Sequence, residues 1–271
     1  MLIRRNDGFP RIMGVLNLTP DSFHKASRLD STESAVSRAI AMVGQGADWI
    51  DIGGESTRPG AAAVTAEEEV ARVVPVVRAI RKSLPNTCIS IDTRRAAVAS
   101  EALDAGADMV NDVSALSDTE MASLVAQRGC PICVMHMQGT PEDMQNDPSY
   151  EDVVDDVRNS LGKAVSELEE LGIDPSVIIA DPGIGFGKTL EHNLSLLSSG
   201  REVVPDERMP LMWGVSRKSM FSRLLGREST DHRLAGTLGV AARAKDKGVD
   251  IIRVHDVEEH ADIFAAMGAL R

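Results

Sequence analysis

The chain has 271 residues, and its 43% hydrophobic content is enough to bury one large core. It carries 29 lysines and arginines against 41 aspartates and glutamates, a formal net charge of −12. This balance argues against a nucleic-acid partner and an anionic membrane partner, because both need a basic surface.

Short apolar segments alternate with amphipathic segments along the chain. The predicted strands span residues 11–17, 48–53, 87–92, 108–112, 131–136, 177–180, 209–215 and 250–254. The predicted helices span residues 32–45, a segment opened by the capping box Thr65-x-x-Glu68, and residues 94–103, 117–127, 150–171, 190–199, 217–225, 231–247 and 257–269.

This order of strand then helix, without two strands in succession, predicts a parallel sheet. Eight such units in 271 residues fit a closed barrel better than an open doubly wound sheet. The strands are nearly continuous apolar runs, as expected when helices and core cover both faces. We therefore predict an α/β fold, a single (β/α)8 TIM barrel, with one domain over residues 1–271.

The cellular compartment is predicted from cysteine usage and from the N-terminus. Cys88, Cys130 and Cys133 form no even disulfide set, which fits a reducing compartment. Cys130 and Cys133 have C-x-x-C spacing, but a zinc site needs a second ligand pair, so we predict buried thiols. Residues 1–6 lack the apolar region of a signal peptide, and no stretch reaches the ~20 apolar residues of a membrane span. We expect a cytoplasmic protein.

The segments that follow the predicted strands are unusually polar. In a (β/α)8 barrel these segments meet at one face, which holds the active site. The polar residues there are Asn17, Glu55, Ser56, Thr57, Arg58, Asp92, Asn111, Asp112, His136, Asp181, Ser216, Arg217, Lys218, Ser219, Arg253 and His255. Carboxylates and amides follow some strands and cations follow others, which favours a catalytic rim over scattered helix caps. Residues 253 and 255 point the same way along a strand, so this cation pair is predicted to hold an anionic group.

The glycine-rich segment at residues 181–189 fits neither common nucleotide motif. A P-loop needs glycine where Pro182 stands. A dinucleotide fingerprint needs G-x-G-x-x-G after the first strand, whereas Gly183, Gly185 and Gly187 are spaced by two after the sixth. The segment is predicted to be a flexible loop whose glycines permit close backbone approach to a ligand.

Eight motifs together resemble the dihydropteroate synthase family in order and spacing, over nearly the whole chain. They are MGVLNLTPDSF at 13–23, GGESTRPG at 53–60, IDT at 91–93, ND at 111–112, MHMQGTP at 135–141, DPGIGFGK at 181–188, SRKS at 216–219 and RVH at 253–255. The resemblance implies a folate-pathway transferase that joins 6-hydroxymethyl-7,8-dihydropterin diphosphate to 4-aminobenzoate. In this implied reaction Mg²⁺ is the cofactor for the release of diphosphate, and the product is 7,8-dihydropteroate. It also implies a homodimer and inhibition by sulfonamides, which resemble 4-aminobenzoate.

The resemblance also implies site residues. For the pterin they are Asp92, Asn111, Asp181 and Lys218; for diphosphate, Asn17, Arg217, Arg253 and His255; for aminobenzoate, Thr57, Arg58, Pro59 and Ser219. Asn17 is the implied Mg²⁺ ligand, and the implied catalytic residues are Asp92, Asn111, Asp181, Lys218, Arg253 and His255. The chemistry is consistent, because a buried carboxylate can accept two parallel N–H donors from the pterin edge. Cations stabilise the negative charge that develops on departing diphosphate.

The first loop departs from the family pattern. DSF at residues 21–23 is followed by HKAS at residues 24–27, where the family usually continues SDGG. If the missing acid stabilises the methylene cation, Lys25 opposes it through like-charge repulsion. Two alternatives therefore stay open: a pterin-dependent methyltransferase of the related barrel superfamily, which has no need of the SRKS motif or the Arg253/His255 pair, and an inactive pterin-binding paralogue.

Overall fold

The computed structural model describes residues 3, 5–18, 28–56, 64–140 and 143–270, and the side chains of residues 28–31 lie outside that description. The strands are β1 Arg11–Asn17, β2 Trp49–Gly53, β3 Cys88–Asp92, β4 Met109–Asp112, β5 Ile132–Met135, β6 Ile178–Asp181, β7 Met212–Trp213 and β8 Ile251–Val254. The helices are α1 Arg28–Gly44, α2 Ala66–Ser83, α3 Ala96–Asp104, α4 Met121–Arg128, α5 Val153–Glu170, α6 Leu190–Ser199, α7 Met220–Leu225, α8 Leu234–Ala241 and α9 Val257–Ala269.

All strand pairs are parallel, and the hydrogen-bonded order is β6-β5-β4-β3-β2-β1-β8-β7. Between β6 and β7 the wall is joined by one parallel bridge, Ala180 with Leu211, and by the Ala180 N–H donating to the Pro210 carbonyl at 2.9 Å. The first and last strands pair directly, since Met13 lies beside Arg253. The predicted (β/α)8 barrel is confirmed.

The seventh unit differs most from the predicted elements. β7 has two residues instead of the seven predicted, because Pro210 has no N–H to donate and Gly214 ends the run. The next helix starts at Met220, three residues later than predicted. Arg217 has a φ of +55°, outside the helical region, so the helix cannot include it. The helix predicted over residues 231–247 is α8, Leu234–Ala241, which ends six residues earlier. The remaining boundaries agree within about four residues, and Thr65 caps α2 by accepting the Glu68 N–H at 3.2 Å.

The barrel interior has an apolar floor and a polar upper level. The floor is a buried cluster of Ile3, Met13, Trp49, Met109, Cys133, Ile179, Met212 and Ile251. Four of these residues are followed two positions later on the same strand by a polar residue, and the polar set is Asp51, Asn111, Asp181 and Arg253. Because inward positions recur every second residue, these polar side chains share one level above the floor.

A second apolar layer lies between strands and helices, and it contains Cys130. Cys130 and Cys133 are free and buried, as predicted. Among the helices of the described residues, none combines the length and apolar character needed to cross a membrane.

Candidate active site

A small cleft opens above the polar level, at the C-terminal ends of the strands. Its lining residues are Asp92, Asn111, Val113, Met135, Asp181, Ile184, Phe186, Gly214, Lys218 and Arg253. The four residues predicted for a pterin therefore meet in one place, together with one predicted anion-binding cation. A cleft in which several polar side chains converge beside apolar ones is typical of a small-molecule site.

Asp181, the last residue of β6, is buried, with 4% of its surface exposed. Its Oδ1 accepts the Gly183 N–H at 2.7 Å. Burial raises the pKa of this carboxyl, and nearby Lys218, Arg253 and Lys188 oppose the rise. Gly183 has a φ of +67°, and a Cβ there would lie 1.8 Å from the His136 carbonyl oxygen. Only glycine therefore brings this N–H onto Asp181.

Arg253 on β8 lies between two carboxylates. Its Nε donates to Asp51 Oδ2 and its Nη2 to Asp92 Oδ2, both at 2.5 Å. The Asn111 side chain donates to the same Asp51 oxygen at 3.1 Å. Asp51 is fully buried on β2, so one interior carboxylate orients both the guanidinium and the amide that face the cavity. Charge-assisted hydrogen bonds of this kind fix geometry strongly.

Lys218 and Asp92 carry shifted pKa values because the cavity is shielded from water. Burial raises the pKa of Asp92 to about 7, against the pull of Arg253 and with reinforcement from Asp51, Glu69 and Asp112. Burial lowers the pKa of Lys218 to about 8, although Asp181 and Asp92 oppose the shift. The Lys218 ammonium also lies 3.9 Å from the centre of the Phe186 ring, a cation–π contact.

The other predicted anion-binding residues lie outside the cavity lining. His255 is exposed just beyond β8. Its ring Nδ1 lies 3.0 Å from Ser216 Oγ, and its backbone N–H donates to the same oxygen at 3.1 Å. Arg217 makes a two-bond contact to Asp256, at 2.9 and 2.5 Å, and a third bond to Asp231 at 3.2 Å. The carboxylates of Asp256 and Asp231 thus already accept hydrogen bonds from the Arg217 guanidinium.

The residues predicted for Mg²⁺ and aminobenzoate are placed only in part. Asn17 is the half-buried last residue of β1, beside Gly53 of β2. Ser219 is exposed immediately before α7. Thr57, Arg58 and Pro59 lie outside the described residues, as does the altered segment at residues 24–27. Their predicted roles stay predictions.

The glycine-rich loop after β6 is tied down by side chains, contrary to the predicted flexible loop. The Gly185 N–H donates to Asn193 Oδ1 at 2.7 Å. The Gly185 carbonyl accepts from the Gln145 side-chain amide at 2.9 Å, and the Gly187 carbonyl accepts from the Tyr150 hydroxyl at 2.7 Å. The glycines supply the positive φ angles of this path, and the hydrogen bonds hold it in one conformation.

Comparison with known proteins identifies the family. A family model described as pterin binding enzyme matches residues 13–255. The dihydropteroate synthase of Escherichia coli strain K12 is 43% identical over 260 residues, which cover 96% of this chain and 91% of that enzyme. The chain belongs to the dihydropteroate synthase family.

Two further members of the dihydropteroate synthase family show the same relation. A probable bifunctional folylpolyglutamate synthase/dihydropteroate synthase of Haloferax volcanii is 48% identical over 94% of this chain, and the chain spans 30% of that longer protein. The crystal structure of Yersinia pestis dihydropteroate synthase with a sulfonamide drug complex has a TM-score of 0.90 and 40% identity, covering 98% of this chain and 96% of that one. The predicted resemblance is confirmed.

Three contributors to this family member's site were missed by sequence reasoning. Asp51 could have been predicted, since it is the one acid in the apolar run of β2 and occupies an inward position on the same side as Gly53. Phe186 and Lys188 stand in a segment rejected as a nucleotide motif, and its remaining interpretation gave no role to side chains. Inward alternation finds Asp51, whereas the contacts of Phe186 and Lys188 depend on the loop path.

The shifted pKa values predict a narrow pH optimum. Below pH about 7 Asp92 gains a proton and its negative charge beside Arg253 is lost, because its pKa is raised. Above pH about 8 Lys218 loses its proton, because its pKa is lowered. We expect kcat/KM for the pterin substrate to fall about tenfold per pH unit on either side of this window. Initial rates across the pH range test this, and a flat profile through both pKa values contradicts it.

Proposed function

We propose that this protein synthesises 7,8-dihydropteroate from 6-hydroxymethyl-7,8-dihydropterin diphosphate and 4-aminobenzoate, releasing diphosphate. One observation supports it most: a single cavity mouth joins the buried Asp181 carboxylate, Asp92 and Asn111 to the cations Lys218 and Arg253. This arrangement suits a ligand with a hydrogen-bonding ring at one end and a strongly anionic group at the other.

The pterin ring binds at the carboxylate side of this cavity. Asp181 accepts the two parallel donors of the pyrimidine edge, its geometry fixed by the Gly183 N–H. Asn111 offers a donor and an acceptor to the same ring, and Asp92 accepts from its reduced half. Lys218 donates to a ring oxygen or nitrogen. Because Asp51 and Arg253 hold Asn111 and Asp92 in place, the pocket is formed before substrate arrives.

Bond breaking precedes bond making in the proposed reaction. The C–O bond from the pterin methylene to diphosphate breaks, and both electrons leave with diphosphate. Arg253, whose bonds to Asp51 and Asp92 use Nε and Nη2, can donate from Nη1 to that charge, with His255 and Arg217 nearby on the rim. The methylene cation is stabilised by the electron-rich dihydropterin, the neutral arylamine attacks it, and the surplus amine proton is lost. No general base is strictly required.

Mg²⁺ is proposed as the cofactor, and Asn17 would hold it. An amide oxygen at the end of β1 fits a cation that prefers oxygen ligands and otherwise keeps waters and substrate phosphates. Groups of three or more acidic, histidine or cysteine ligands do not occur among the described residues, which fits a cation bound mainly through diphosphate. When bound, Mg²⁺ neutralises charge on the diphosphate oxygens.

Removing Mg²⁺ is expected to stop product formation. With EDTA in excess, turnover should fall to background, and added Mg²⁺ should restore it. Asn17→Ala should raise the Mg²⁺ concentration for half-maximal rate about tenfold, since one ligand is lost. Titration of Mg²⁺ in the product assay measures both effects. An unchanged titration curve for Asn17→Ala contradicts the assignment.

The second substrate is proposed to bind near Ser219, Thr57, Arg58 and Pro59. Ser219 is exposed and directly follows Lys218, a residue that lines the cavity, which supports this proposal. Closure of loops over both substrates would exclude water, which otherwise traps the methylene cation as the alcohol.

The alternatives make different products. A pterin-dependent methyltransferase has no need of diphosphate release, and the similarity to dihydropteroate synthases disfavours it. An inactive paralogue, suggested by the segment at residues 24–27, would bind the pterin without forming product. We expect purified protein to form dihydropteroate when 4-aminobenzoate is added, with one diphosphate released for each product molecule. Pterin binding by calorimetry with no dihydropteroate formed selects the inactive paralogue and overturns the proposal.

A homodimer through the outer helices is part of the proposal. Exposed leucines on α6 and α7 support it, namely Leu194, Leu224 and Leu225. Exposed large apolar side chains on neighbouring helices are typical of a contact surface. Sedimentation equilibrium should give twice the chain mass of 29.0 kDa.

A further inference from the structure

Lys188 is a buried cation at the back of the cavity. It is only 3% exposed. Its Nζ lies 2.9 Å from His136 Nδ1, donates to the Phe186 carbonyl at 2.9 Å and approaches the His136 carbonyl at 3.4 Å. An ammonium has three N–H donors, and three acceptors surround this one. These partners offset the cost of burying the charge.

The state of His136 sets the direction of these bonds. Burial, reinforced by the adjacent Lys188, lowers the pKa of His136 to about 3, so the imidazole is neutral. Because Lys188 supplies the donors, Nδ1 is the accepting nitrogen and the ring proton lies on Nε2. His136 therefore acts as an anchor for the ammonium at the end of β5.

Through these bonds Lys188 joins β5 to the loop that carries two parts of the pterin pocket. The first is Phe186, which lines the cavity and supports the Lys218 ammonium on its ring. The second is Gly183, whose N–H binds Asp181. A Cβ on Gly183 would lie 3.4 Å from Lys188 Nζ, so the ammonium packs directly against that turn.

Lys188 also adds positive charge behind Asp181. Burial raises the pKa of Asp181, and Lys188 is one of three cations that oppose this shift. Burial also lowers the pKa of Lys188 to about 7. Asp181 opposes this lowering, and Lys218 reinforces it. The other titratable groups facing Lys188 are neutral His136 and Tyr150, whose ring centre lies 6.0 Å away and whose pKa burial raises to about 12.

We infer that Lys188 is a positioning residue for the pterin: its ammonium fixes the glycine-rich loop against His136, and its positive charge beside the Gly183 turn stabilises the Asp181 carboxylate that accepts the ring. This inference rests on the proposed function. Lys188 does not line the cavity, so it acts through Asp181 and Phe186 and does not contact the substrate.

Binding of 6-hydroxymethylpterin, which carries the ring without a leaving group, tests this role by calorimetry. Lys188→Met keeps the length of the side chain and removes its donors and charge. We expect a Kd about threefold weaker than wild type at about pH 8, where only hydrogen bonds are lost, and about tenfold weaker at about pH 6. The larger loss at low pH is expected because wild-type Lys188 is charged there, since burial lowers its pKa to about 7, so the variant also loses a positive charge near Asp181. Lys163→Met, at an exposed site on α5, is the matched control and should bind as wild type does.

The outcomes separate the inference from the proposed function. Circular dichroism and thermal unfolding establish that Lys188→Met is folded; if it is not, Lys188→Gln, whose amide can donate to the same carbonyls, replaces it. Wild-type affinity in the folded variant overturns the inference. A loss of equal size at both pH values also overturns it, because a purely structural role predicts that result. Failure of the wild-type protein to bind the pterin overturns the proposed function instead.

Discussion

Asp181→Asn is expected to lower kcat/KM for the pterin substrate by at least ~10³-fold. The carboxylate offers acceptors on both oxygens, whereas the amide would turn an N–H₂ group toward the donors of the ring or of Gly183. The side chain is buried, so water cannot replace the lost acceptor. Because the two side chains have nearly the same shape, the fold should be retained. Steady-state kinetics of dihydropteroate formation measures the effect.

The matched control is Asp246→Asn. Asp246 is exposed and pairs with Arg243 at 3.6 Å on the outer surface, so kcat/KM should stay at the wild-type value. A tenfold or smaller loss in Asp181→Asn would show that the ring is not read by this carboxylate. Lys218→Ala should also abolish product formation, since Lys218 faces Asp181 across the same cavity.

Arg253→Met is expected to reduce the free energy of unfolding by ~3–5 kcal/mol as well as to abolish activity. The substitution strands the fully buried Asp51 carboxylate without its counter-ion. Asp51 Oδ1 has no hydrogen-bond partner among the described residues, so little else there compensates the charge. Urea unfolding monitored by tryptophan fluorescence gives the free energy.

Two companion variants identify the source of this loss. Arg243→Met removes an exposed, weakly paired guanidinium and should change the free energy of unfolding by less than ~1 kcal/mol. Adding Asp51→Asn to Arg253→Met should restore part of the stability, because the stranded charge is removed. If the double variant is less stable than Arg253→Met by the full effect of Asp51→Asn alone, the two side chains are not coupled.

The fold was predictable because the chain repeats one simple pattern. Strands that are apolar on both faces and helices with one apolar stripe leave few arrangements other than a parallel barrel. β7 was predicted too long, since residues 209–215 are apolar throughout. The effects of Pro210 and Gly214 on hydrogen bonding outweigh that pattern.

The site was predictable where it follows from strand geometry, and less so where it depends on loops. Asp92, Asn111, Asp181 and Arg253 lie at or near strand ends, so the topology alone brings them together. Their individual roles came from the family resemblance and stay predictions. The partner of Arg217 could not be foreseen, because Asp256 is 39 residues away and the contact requires a left-handed backbone at residue 217.

The weakly paired wall between β6 and β7 has a consequence for the ligand. Asp181 ends β6 and Lys218 follows β7, so a pterin held by both would span the one seam that the sheet closes with a single bridge. Bound substrate would then link the two strands and hold the barrel closed. Occupancy of the pocket should slow opening of this seam, and the unfolding temperature should rise with the logarithm of the ligand concentration relative to its Kd.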